Sequence, residues 1–168
     1  MKLLRKTTEA FTFELEWIER FQLQEVLRHY PLTPLAHYQI ARSAETGQRS
    51  GDQLLLEEAM TAHQQSLRQK IHELLTPGRR FAKDADTYLL TLQGEEVEWL
   101  LQALNDVRVG CWVLMGCPEE ERLEKLTKTN VGHHVLMETA LMFQAHLLHA
   151  LHDSDEPIFP EEPTDCEL

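Results

Sequence analysis

Residues 94–116, GEEVEWLLQALNDVRVGCWVLMG, read as one helix that has to lie at the centre of the fold. Glu95 and Glu96 follow Gly94, and acids there suit the positive end of a helix dipole. Gly116 is the residue best able to take the left-handed conformation that ends a helix, and Pro118 bars continuation. Val97, Leu100, Leu104, Val107, Cys111 and Leu114 recur at three- and four-residue intervals as one apolar stripe. Beyond Val107 nearly every side is apolar, the pattern of a helix enclosed by others.

The flanking segments supply the enclosure. Phe11 and Phe13 alternate around Thr12–Leu15, a short strand expected to pair with Tyr88–Leu92. Glu14–His29 reads as a helix with Leu15, Ile18, Phe21 and Val26 inward and a Glu16–Arg20 pair. Pro31 and Pro34 break the chain, and Thr33 is expected to cap a short helix reaching Ala44. After a Thr46–Gly51 loop, Asp52–Leu75 reads as an amphipathic helix carrying Leu56, Ala59, Met60, Leu67, Ile71 and Leu74. His63 falls in the middle of that stripe and reads as a neutral core histidine, the alternative being a ligand or proton acceptor. Thr76–Asp86 reads as a loop. Pro118 and Glu119–Glu121 start a short helix ending near Lys128. Asn130 then precedes a long helix, Val131–His152, with Leu136, Ala140, Phe143, Leu147 and Leu151 inward.

The expected fold is mainly α: a single-domain helical bundle of about five helices around Gly94–Gly116, with a small two-stranded β ribbon. The domain spans 1–152. Residues 153–168 form an acidic tail with three prolines, expected to be disordered. Of 28 acidic residues, seven lie in that tail, leaving 21 against 16 bases elsewhere. An acidic body argues against nucleic acid as a partner, because neutralising phosphate supplies most non-specific affinity. No apolar run approaches the ~20 residues that span a bilayer. Three scattered cysteines and an N-terminus without an apolar signal core point to the cytoplasm.

Two constellations could carry function. Asn105, Asp106 and Arg108 sit mid-helix beside positions that should be buried, flanked by Trp99 and Trp112. They suit either an internal network, with Arg108 reaching a carboxylate on another helix, or a partner surface anchored by a tryptophan. On the last helix, His134, Glu138, His146, His149 and His152 gather along one side. Imidazoles three or four residues apart can share a divalent ion, yet no His-Glu-x-x-His or Glu-x-x-His motif orders them. No phosphate-binding glycine loop or nucleophile elbow occurs, so no cofactor is expected. Cys111 falls on the apolar stripe and reads as an inert thiol.

The run Trp99-Leu100-Leu101-Gln102-Ala103-Leu104-Asn105-Asp106-Val107-Arg108 follows Leu90-Thr91-Leu92 and a group of acids, and leads into Leu114-Met115-Gly116. This segment resembles a bacterial domain-of-unknown-function family patterned as an acidic start, W-L-x-A-L-N-D-L-R, then an apolar run ending in Leu-Gly. The likeness covers about two dozen residues. The histidine-rich last helix and residues 52–75 depart from it. That family has no assigned activity. Its gene in actinobacteria tends to lie beside the adaptor of the Clp protease, so the resemblance implies a regulatory or adaptor role. The leading expectation is a non-catalytic interaction or regulatory protein linked to regulated proteolysis, with a protein partner. The alternative is a metal-dependent enzyme built on the histidine helix. Met137, Leu141, Leu148 and Trp112 widen the apolar faces beyond what one layer covers, which predicts a homodimer.

Overall fold

Alternation sets the sheet. The computed structural model of the chain describes residues 1–33, 51–76, 80–118 and 130–152. Its strands are β1 (Lys2–Lys6), β2 (Ala10–Glu16), β3 (Phe81–Asp84) and β4 (Thr87–Gln93), and its helices α1 (Trp17–Arg28), α2 (Gly51–Leu75), α3 (Gly94–Leu114) and α4 (Val131–His152). Phe11, Phe13 and Leu15 of β2 face the helices, with Thr12 and Glu14 turned away. The expected pairing with Tyr88–Leu92 is present, antiparallel, with Phe13 opposite Leu90 and Phe11 opposite Leu92.

That pair is the middle of a larger sheet. The strand order is β1-β2-β4-β3, all antiparallel, so the described residues form four helices and a four-stranded sheet. The bundle of about five helices with a two-stranded ribbon is therefore incorrect, and the protein is not all-α. Both added strands lie at edges and lack the signal that marked the central two. β1, Lys-Leu-Leu-Arg-Lys, is charged, almost wholly exposed, and bulged between Leu3 and Arg5. Charge and bulges are how edge strands avoid pairing with other chains. β3 has four residues, of which Phe81 alone is buried. It replaces part of the expected Thr76–Asp86 loop and turns into β4 through Ala85 and Asp86, with Ala85 at φ 48°.

β2 runs directly into α1, which changes that helix's phase. Glu16 caps it: its side chain accepts from the backbone of Glu19, whose own carboxylate accepts from the Glu16 amide. The helix starts at Trp17 rather than Glu14, and Leu23, Val26 and Leu27 are buried. Ile18 and Phe21, expected inside, are exposed beside Trp17. Arg20 does not pair with Glu16; its guanidinium lies 4.4 Å from the Tyr88 ring centre and 5.3 Å from that of Phe81.

α3 follows the sequence reading closely. Gln93 and Glu96 form its capping box. Gly116, at φ 84°, ends it in a Schellman turn, with Cys117 donating to the Trp112 carbonyl and Gly116 to that of Val113. Val97, Leu100, Leu104, Val107 and Cys111 are buried, while Leu114 is exposed. α4 is its main helical neighbour and inserts Ala140, Phe143, Leu147 and Ala150. Gln144 also donates to the Leu101 carbonyl at 3.3 Å. Leu151, expected inside, is exposed.

α2 docks by its second half. Leu67, Ile71 and Leu74 are buried, but Leu54, Leu55 and Ala59 are exposed. A 25-residue helix is roughly 37 Å long, more than the core beneath it can cover. The expected helices 34–44 and 119–128, and the tail 153–168, lie outside the described residues.

Candidate functional site: the cleft between α2 and α3

Asp106 organises this site through a task that the sequence did not reveal. Its Oδ1 accepts the backbone amides of Leu32, at 2.7 Å, and Thr33, at 3.2 Å. Thr33 Oγ1 returns a bond to the Asp106 carbonyl at 2.9 Å. Three bonds thus fasten the segment after α1 to the middle of α3. Gly110, one turn further on, leaves room for that segment: a Cβ there would lie 2.7 Å from the Leu32 carbonyl carbon. A glycine alone in an apolar helical run often marks a close backbone approach, and this was the available signal.

Between the fastened segment, α2 and α3 lies a cleft of about 450 Å³. That is within the range of small-ligand sites, roughly 300–1,000 Å³. Tyr30, Met60 and Leu67 make its apolar wall. His63, Gln64, Gln102, Asn105 and Asp106 supply its polar groups. His63 is exposed at this cleft, contrary to its expected place in the core. His63 lies one turn before Leu67, the first of the three apolar residues by which α2 is buried against the core. His63, Gln64 and Gln102 make no side-chain hydrogen bond among the described residues. Gln64 and Gln102 carried no sequence signal, since polar residues on a helix normally just face water.

The five residues singled out in the sequence are not brought together. Asn105 and Asp106 share the cleft. Arg108 reaches no carboxylate among the described residues; it donates to Asn105 Oδ1 at 2.9 Å, within its own helix. Its Nε is buried without a partner among those residues. Trp99 is buried and borders a different cleft of about 250 Å³, beside Lys70, Leu74 and Arg80. Trp112, 42% exposed, donates its indole N–H to the Pro118 carbonyl at 3.2 Å. A comparison with family models, curated proteins and solved structures finds no match to this chain.

The histidine helix does not assemble a first coordination shell: no group of three His, Cys, Asp or Glu side chains converges among the described residues. His146 Nδ1 bonds the Met142 carbonyl at 2.8 Å, and His152 Nδ1 that of Leu148 at 3.0 Å. Both rings are thereby tied to their own helix. Burial lowers the pKa of His146. Burial likewise pushes the Cys111 thiol up to about 11, the inert state that its place on the stripe predicted. No described helix is long and apolar enough to cross a membrane.

Proposed function

We propose that this chain is a non-catalytic interaction or regulatory protein that receives a segment of a protein partner in the α2–α3 cleft. One observation carries the reading: the cleft gathers hydrogen-bonding side chains from two helices around Asp106, whose Oδ1 is already committed to holding Leu32 and Thr33. A group tied up in this way positions backbone rather than shuttling protons, and the remaining amide and imidazole groups suit recognition. A link to regulated proteolysis rests on the resemblance along Trp99–Arg108, and a cytoplasmic location on the sequence. Self-association is a further element of the proposal: Leu141, Leu148 and Trp112 are all more than two-fifths exposed.

Affinity capture from the native cell tests the cleft, using intact protein and a Gln102→Arg variant that crowds it from an exposed position. A protein bound by the wild type and lost by the variant is the expected result. Identical captures would overturn the reading. Sedimentation at micromolar concentration tests self-association, which a clean 19.5 kDa monomer would end.

A further inference from the structure

Asp106 is the one charged side chain assigned above to the cleft, and its other carboxylate oxygen, Oδ2, takes no hydrogen bond among the described residues. The two backbone amides on Oδ1 hold the carboxylate in place, so it meets an incoming cation without reorganising. Arg108, two residues along the same helix, does not line the cleft, and its guanidinium is held by Asn105. Around the carboxylate, Gln64 and Gln102 offer amide oxygens that can accept from a donor, while that of Asn105 is taken by Arg108. Met60 and Leu67 form an apolar wall on the opposite helix. The whole chain, at net charge −12, raises the local concentration of cations over anions.

We infer that the α2–α3 cleft accepts an ammonium group on an aliphatic stem, the chemistry of a lysine side chain presented by the partner. The stem lies along Met60 and Leu67, and the ammonium meets Asp106 and the neighbouring amide oxygens. An ammonium carries three donors and no acceptor, which matches a carboxylate set among carbonyl oxygens. Its four methylenes bury against apolar surface while the head remains hydrated, as lysine stems do elsewhere. A carboxylate ligand would meet Asp106 as a like charge, and a purely apolar one would leave the amides unpaired.

This inference rests on the cleft being the partner site, and its test is independent of any partner. Pentylamine, pentanol and pentanoate are titrated into the intact protein, following the side-chain amide signals of Gln64, Gln102 and Asn105 by NMR. The expected result is saturable shifts with pentylamine, binding about fivefold weaker for pentanol, and none for pentanoate; such a ratio is the weight of a partly exposed charge pair. Raising the salt weakens the amine selectively. Asp106→Asn keeps an oxygen for the Leu32 and Thr33 amides and removes the charge. It should retain the fold and bind pentylamine no better than pentanol. Equal binding of amine and alcohol by the wild type, an unchanged amine preference in Asp106→Asn, or no saturable shift up to about 50 mM amine each overturns the inference. A partner captured by the wild type and lost by Gln102→Arg would stand in all three cases, so failure of the lysine chemistry is distinguishable from failure of the site.

Discussion

Gly110 lies so close to Leu32 that an added methyl group would come within 2.7 Å of both its carbonyl carbon and its Cβ. Alanine is the better helix former by about 1 kcal/mol, yet the clash is with backbone, which cannot swing aside. Gly110→Ala is therefore expected to destabilise by about 1–3 kcal/mol, the usual range for overpacking. Gly132 in α4 meets nothing within 4 Å. Gly132→Ala should gain up to about 1 kcal/mol. Urea unfolding of both variants gives the signs; two gains would mean that the 30–33 segment does not press on α3.

Asp106 holds the same segment from one turn earlier. Asp106→Ala strands the Leu32 and Thr33 amides and should lower stability by about 2–3 kcal/mol. Asp106→Asn, which preserves an acceptor, should lose less than half as much. Equal losses for the two variants would show that the charge matters more than the amide bonds.

Ala85 sits at φ 48° in the turn joining β3 to β4, a region that non-glycine residues enter at about 1–2 kcal/mol. Ala85→Gly relieves that strain at some entropic expense in the unfolded chain. A net gain of about 0.5–1 kcal/mol is expected, read as a higher denaturation midpoint with an unchanged slope.

Burial raises the Cys111 thiol from an ordinary 9.0 to about 11. The unfolded chain loses this proton first, so the stabilising contribution is complete below pH 9.0 and disappears as pH rises toward 11. Stability should fall across that window more steeply in the wild type than in Cys111→Ala. Peptide mapping after iodoacetamide at pH 8 should find Cys117, which is exposed, modified and Cys111 intact until denaturant is added. Labelling of Cys111 in the folded protein would contradict its burial.

Legibility followed how local each determinant was. The β2–β4 pair was readable because both strands alternate, Phe11, Phe13 and Leu15 against Leu90 and Leu92. β1 and β3 were not: at a sheet edge, hydrogen bonds to an existing neighbour can hold a strand whose own side chains bury little. The Ala85-Asp86 turn also lacks the Asn-Gly or Asp-Gly pair that announces a tight hairpin. At the site, Asn105 and Asp106 stood out as polar residues in an apolar helix. Their partners did not, because Leu32 and Thr33 contribute backbone amides, which are the same in every sequence.

By itself, the sequence determined the course and limits of α3, the burial of Val97 through Cys111, the face of α4 around Phe143 and the central strand pair. These depend on periodicity and on caps, interactions within a few residues along the chain. Tertiary structure alone decided that Ile18 and Phe21 face outward, that His63 lines a cleft, and that Asp106 and Gly110 receive a segment more than 70 residues away in sequence. Helix phase and helix overhang are set by what the neighbouring element leaves uncovered. A backbone docking site is set by shape and by unpaired amides, of which the sequence records only the lone Gly110 in an apolar helix.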